Sequence, residues 1–272
     1  MTRLAALYVY PVKSLGGVQV ESAEVDALGL VGDRRFLVVD ETGRFLTQRT
    51  LPRMALIRTA LSSESLHLTL PGHGDVTIPL ASDPTAPLRT VSIWRSEGLL
   101  AEDAGDAAAA WLSTTLATRC RLVRIGPAFR RPVLKASAAA GDHVTFADAC
   151  PFLIVSEASL ADLNDRLAAR GEEPLPMNRF RPNLVVSGCA PYEEDTWPRI
   201  RIGDVIFRSG GPCARCVMTT TDQETAERSK EPLRTLATYR RDAGDPTDVN
   251  FGQNLINETK TGALRVGDDL RV

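Results

Sequence analysis

Two thiols three positions apart, Cys213 and Cys216, with Arg215 directly before the second, are the groups in this chain best suited to chemistry. They lie in Gly210-Gly211-Pro212-Cys213-Ala214-Arg215-Cys216, ahead of Val217-Met218-Thr219-Thr220-Thr221-Asp222. A neighbouring guanidinium favours the thiolate, the form that ligates soft metals and attacks sulfur. Gly-Gly-Pro reads as a turn and the β-branched run after it as a strand, which puts Cys216 where a loop enters a sheet. A structural zinc site needs four ligands, as two such pairs or as a pair plus histidines. Cys120, Cys150 and Cys189 make no second pair, and His67, His73 and His143 have no ligand spacing. A redox pair of the Cys-x-x-Cys kind opens a helix, whereas this one precedes a β-branched run. Taken alone, the pair leaves chemistry and simple packing evenly balanced.

Three other segments tip that balance. Tyr10-Pro11-Val12-Lys13-Ser14 places a lysine and a hydroxyl after the first strand. Gly32-Asp33-Arg34-Arg35-Phe36 places two arginines at a strand entrance, and Asn178-Arg179-Phe180-Arg181-Pro182-Asn183 places two more, with an amide, before a buried strand. Each alone is an ordinary solvated turn. Together they repeat cationic and hydrogen-bonding groups at strand ends. Such a cluster on one rim suits a phosphate-bearing cofactor, and Asn183 adds a donor and an acceptor for a heterocycle edge.

The elements that must position these groups are mostly strands. Ala5–Tyr10, Val18–Val25, Arg35–Val39, Met54–Leu61, Ser65–Leu70, Val76–Leu80 and Arg89–Trp94 are short runs separated by turn residues, as in a closed or strongly curved sheet. Asp106–Leu112 is helical by propensity, and Arg121–Ile125 returns to strand. Pro127–Gly141 reads as a loop or lid. Ser156 can cap a helix with Leu160, Leu163 and Leu167 on one face, ended by Gly171. Pro182–Ser187 reads as a buried strand, Arg199–Arg208 as a hairpin around Gly203-Asp204, and Leu264–Val272 as a second hairpin. A further helix is expected near Glu231-Pro232, with proline in its first turn.

The 272 residues suffice for one large domain or two modest ones. Hydrophobic content of 43% and charged content of 24% are those of a globular protein. The formal net charge of −2 gives no electrostatic case for nucleic acid or membrane as a partner. The first residues make a poor secretory signal, and five unevenly spaced cysteines argue against a disulfide framework. A reduced, cytoplasmic setting is expected.

With these segments in view, the sequence resembles the MOSC-domain proteins that carry an N-terminal MOSC β-barrel domain. The nearest group is the mitochondrial amidoxime reducing component with its bacterial relatives. The resemblance covers nearly the whole chain. It is carried by Tyr10–Ser14, Gly32–Phe36, Pro151–Leu160, Phe180–Asn183 and Cys213–Asp222. It implies an α+β, β-rich fold, with an N-terminal β-barrel-like domain over residues 1–120, a MOSC β-barrel over 121–272, and a few helices. It also implies a molybdenum pyranopterin cofactor, with Cys216 as metal ligand and catalytic centre. Lys13, Ser14, Arg34, Arg181 and Asn183 match positions that hold the pterin and its phosphate. Ala214 and Arg215 match the two residues before the ligand. Where this chain has Ala149 and Cys150, family members often carry small hydroxyl residues, and a serine often stands at Ala214.

The reaction implied is reduction of N-hydroxylated small molecules, such as amidoximes and hydroxylamines, to their N–H forms. Without a C-terminal iron–sulfur cysteine set, electrons are expected from a separate flavin, iron–sulfur or haem protein. Asp148 and Asp222, beside the matched motifs, read as ordinary turn carboxylates, so no proton donor is assigned. A non-catalytic cofactor-binding or sulfur-relay module is the alternative, and a barrel with purely structural cysteines is the third reading.

Overall fold

A computed structural model describes residues 1–272. The first half contains β1 (Arg3–Val9), β2 (Val18–Val20), β3 (Ser22–Asp26), β4 (Gly29–Leu30), β5 (Phe36–Asp40), β6 (Arg58–Leu61), β7 (Ser65–Thr69), β8 (Asp75–Pro79), β9 (Leu88–Ile93), β10 (Ser96–Asp103), helix α1 (Asp106–Leu116) and β11 (Cys120–Arg124). The second half contains β12 (Phe152–Ser156), α2 (Glu157–Ala168), β13 (Leu184–Ser187), β14 (Arg199–Ile202), β15 (Val205–Ala214), the single turn α3 (Leu233–Leu236), β16 (Asn250–Asn257), β17 (Gly262–Arg265) and β18 (Leu270–Arg271). The fold is α+β and β-rich, and no helix is long and apolar enough to cross a membrane.

The largest sheet has eight strands in the order β18-β14-β15-β16-β12-β13-β1-β2. Strands from the two ends of the chain therefore share one sheet, with β1 antiparallel to β13. Every residue of β16 is buried, as its central place demands. Leu4, Leu7, Phe152, Ile154, Phe207 and Leu255 form the core against this sheet. Strands β5, β11, β10 and β9 make a four-stranded sheet, and β6, β7 and β8 a three-stranded one. Leu112 and Leu116 of α1 close a second core with Phe36, Leu66 and Leu68.

Several local expectations hold. The Ser156 side chain accepts from Ser159 N and caps α2, whose Leu163 and Leu167 are buried. Residues 199–208 form the hairpin β14–β15. Four readings need correction. Gly210-Gly211-Pro212 is no turn; it lies inside β15, where the register shifts twice against β16 and Gly211 sits at φ +86°. A bulge of this kind uses glycine's freedom at positive φ. The run after Cys216 is a 3₁₀ turn over Val217–Thr220. There, Thr219 Oγ1 donates to Cys216 O at 3.0 Å, and Thr220 Oγ1 donates to Val217 O at 2.8 Å. These local hydroxyl bonds outcompete β propensity. Met54–Leu61 begins as a 3₁₀ turn at Pro52–Leu56 before β6. The C-terminal segment is no hairpin, because β17 pairs with β3 and β18 with β14.

Candidate functional site

Backbone conformation marks the site first. Ser14, Arg34 and Arg181 have φ of 68°, 46° and 55°, in the left-handed region that non-glycine residues avoid. Holding them there costs on the order of 1 kcal/mol or more each, and such residues collect at ligand clamps. All three line one cavity of about 240 Å³. Lys13 and Ser14 follow β1, Arg34 precedes β5, Arg181 and Asn183 precede β13, and Cys216 follows β15.

The same cavity is lined by every position that the resemblance matched to the cofactor: Lys13, Ser14, Arg34, Ala149, Cys150, Arg181, Asn183, Ala214, Arg215 and Cys216. It adds Arg49, Lys135, Asp148, Cys213 and Asn254. Six cations thus face one carboxylate, that of Asp148. Asp148 is more than a turn carboxylate: Lys13 Nζ bonds it, and Trp94 Nε1 donates to its Oδ1 at 3.1 Å. Asp222 does serve its own turn, accepting from Glu224 N and Thr225 N, and it also pairs with Arg179 at 2.9 Å. A larger groove of about 810 Å³ lies beyond Arg181, lined by Tyr8, Tyr10, Arg53 and Arg58 among others, but no cysteine reaches it. The thiol chemistry belongs to the smaller cavity.

Buried pairing builds the walls. Arg34 Nη1 donates to Asp33 Oδ2 at 2.6 Å and to Asn183 Oδ1 at 2.9 Å. Arg34 Nη2 reaches Arg181 O at 3.2 Å. Asn183 Nδ2 donates to Tyr8 O at 3.2 Å, and its Oδ1 also accepts from Leu153 N at 3.3 Å. Most of the Asn183 amide is therefore committed inside the protein, leaving one N–H. The Tyr10 ring carries both guanidiniums, Arg34 at 4.6 Å and Arg181 at 4.3 Å from its centroid. Arg131 donates to the carbonyls of Thr145, Ala147 and Asp148 and so clamps the segment that presents Ala149 and Cys150.

Burial sets the protonation. It pushes the Lys13 ammonium down to about 8, against the pull of Asp148. It likewise lowers Arg181 to about 10. Desolvation would raise Asp148, but Lys13 beside it holds the carboxyl well below the usual range. Burial lifts the Cys150 thiol to about 12, so Cys150 stays neutral. A Cβ added at Gly210 would lie 2.7 Å from Cys150 Sγ, so glycine at that position lets the thiol pack. Cys213 Sγ accepts from Arg215 Nη1 at 2.9 Å, and Cys216 Sγ accepts from Arg49 Nη2 at 3.0 Å.

Three buried polar atoms of the lining have no partner: Ser14 Oγ, Arg49 Nη1 and Arg215 Nε. An unsatisfied buried donor costs about 1–3 kcal/mol, so what fills the cavity must bring acceptors. A phosphate-bearing heterocycle with a soft metal fits both these donors and the thiol. Sequence reasoning missed Arg49 and Asn254, and reached Lys135 only as part of the loop or lid read over Pro127–Gly141. Neither Arg49 nor Asn254 lies near a cysteine in sequence, and no spacing signals them.

This is a β-rich protein whose strand ends carry a cationic, thiol-bearing cofactor cavity. The MOSC N-terminal beta barrel domain matches residues 1–119, and the MOSC domain matches residues 141–271. Mitochondrial amidoxime-reducing component 1 of Homo sapiens is 39% identical over 97% of this chain and 81% of its own length. The Mus musculus protein of the same name is 38% identical over 97% of this chain and 80% of its own length. The molybdenum cofactor sulfurase of Arabidopsis thaliana is 33% identical over 98% of this chain but 35% of its own length. The chain belongs to the MOSC-domain family, in the branch of the amidoxime-reducing components.

Proposed function

We propose that the protein is a molybdenum-cofactor-dependent reductase of N-hydroxylated compounds. The observation that carries this reading is the meeting of Cys216 with six cations in one cavity whose buried donors lack acceptors. Cys216 is the metal ligand. Lys13, Ser14, Arg181 and Arg215 hold the pterin and its phosphate, while Arg34 and Asn183 shape the wall behind them. Ala149, Cys150 and Ala214 supply close contact. When bound, the group supplies a redox metal that removes oxygen from nitrogen, so that R–NHOH, two electrons and two protons give R–NH₂ and water. The electrons come from a separate redox protein, and the setting is cytoplasmic.

The test is protein made in a molybdenum-replete host. Near one molybdenum and one pterin per chain are expected, with turnover of an amidoxime by a reduced electron donor. Well-folded protein free of both would sink the reading. Protein that carries a persulfide on Cys216 and turns over no amidoxime with a reconstituted electron chain would favour a sulfur-relay module, the reading to which the similarity with the sulfurase points.

The Lys13 shift adds a pH dependence. Above about pH 8 the folded ammonium loses its proton while Asp148 stays ionised, so the cavity becomes one charge less positive. Inorganic phosphate should bind cofactor-free protein roughly tenfold more weakly at pH 9.5 than at pH 7, measured by calorimetric titration. Stability moves the other way. The unfolded lysine keeps its proton up to the ordinary lysine value of 10.5, so unfolding takes up a proton between about pH 8 and 10.5 and the fold gains stability there. Lys13→Met should flatten both trends.

A further inference from the structure

Arg49 comes from the loop between β5 and β6, 167 positions from the cysteine it meets. Its Nη2 donates to Cys216 Sγ at 3.0 Å. Its guanidinium lies over the Trp94 ring, 4.1 Å from the centroid, so its placement does not depend on the sulfur alone. Trp94 is itself held, by its bond to Asp148 and by edge-on packing on Phe45 at 4.7 Å. It sits at φ 52°, a fourth strained residue beside the cavity.

The loop that carries Arg49 is tied down from the other side. Arg228 Nη2 donates to the carbonyls of Gln48 and Arg49, the latter at 2.9 Å. Gln48 and Gln223 exchange amide bonds at 3.0 and 3.1 Å, and Gln48 Nε2 also reaches Ser14 O at 2.9 Å. Gln223 and Arg228 lie in the segment just downstream of Cys216. The turn that leaves the cysteine therefore grips the loop that returns a donor to the cysteine. This closed ring leaves one atom unspent: Arg49 Nη1 is buried and has no acceptor.

We propose that Arg49 positions the Cys216 sulfur through Nη2 and binds, through Nη1, an acceptor atom of the group that Cys216 ligates. The inference rests on the reading of Cys216 as metal ligand. A cationic donor on a ligating sulfur draws density from it, which makes it a weaker donor and stabilises the reduced metal. Lysine cannot replace this arrangement, because a compact ammonium lacks the planar fork that reaches two acceptors while stacked on an indole.

The experiment compares holoprotein of the wild type, Arg49→Lys, Arg49→Gln and Arg228→Gln. Molybdenum and pterin per chain, the paramagnetic resonance signal of the half-reduced metal, its midpoint potential, kcat, KM and the thermal midpoint are measured together. Arg49→Lys is expected to keep at least half of the metal, with an altered resonance signal, a lower potential and kcat down at least tenfold while KM stays within threefold. Arg49→Gln is expected to lose metal at least fivefold. Arg228→Gln leaves Arg49 in place and should move the signal in the same direction by less. It decides the matter if both Arg49 variants fail to fold. Arg49 variants with wild-type metal content, signal and potential overturn the proposal, as does an unmoved signal in Arg228→Gln. Wild-type protein without metal overturns the parent reading first, so the two failures are distinguishable.

Discussion

Cys216→Ala is expected to strip molybdenum and pterin from the protein at least tenfold while leaving it folded. The thermal midpoint should stay within about 3 °C of wild type, because replacing a half-buried group outside the core changes stability by roughly 0.5 kcal/mol. The only polar partner Cys216 Sγ has is Arg49, so its removal frees one donor and opens no core cavity. Cys213→Ala is the control. Cys213 is held by Arg215 and packs beside the cluster of Phe180 and Phe251, so its loss should perturb packing and leave the metal bound. Metal retained by Cys216→Ala and lost from Cys213→Ala would reverse the assignment. Elemental analysis of the two variants in parallel is sufficient.

Asp33→Ala should destabilise the fold by about 3–5 kcal/mol, the usual cost of leaving a buried charge without its partner. Asp33 is 2% exposed. It accepts from Tyr10 N at 2.8 Å and from Arg34 Nη1 at 2.6 Å. Burial by itself would lower the Arg34 pKa, and Asp33, with lesser help from Tyr10 and Asp148, more than reverses that. With Asp33 gone, Arg34 keeps its charge in a desolvated wall and turns on Asn183 and the Arg181 carbonyl alone. Asp33→Asn preserves an acceptor for Tyr10 N and should fall between the two. Urea midpoints read the difference, and cofactor content should fall in step with stability. An Asp33→Ala midpoint equal to wild type would mean that Arg34 does not depend on the pair.

What could be read along the chain was local. The Ser156 cap, the Leu163 and Leu167 stripe, the Gly203 turn and most strands of the first half depend on neighbours within a few positions. Strand β10 carries no strand signal of its own, because Ser96, Glu97, Gly98, Glu102 and Asp103 have little β propensity; its pairing with β9 and β11 supplies what propensity does not. Gly210-Gly211-Pro212 carries the composition of a turn, yet β16 beside it pulls it into the sheet with two bulges. The final strands look like a hairpin in one dimension and separate in three, because β3 and β14 are better partners than each is for the other.

For the site, the motifs together with the family resemblance singled out Cys216 and most of the cations that the folded chain brings into one cavity. The folded chain alone decided which of those groups are free to act. It spends Asn183 and much of Arg34 on the wall, neutralises Cys150 by burial, joins Asp148 to Lys13, and brings Arg49 to the sulfur. Those outcomes turn on contacts between positions far apart in sequence. Sheet pairing and desolvation create such contacts, and neither leaves a trace in the spacing of residues along the chain.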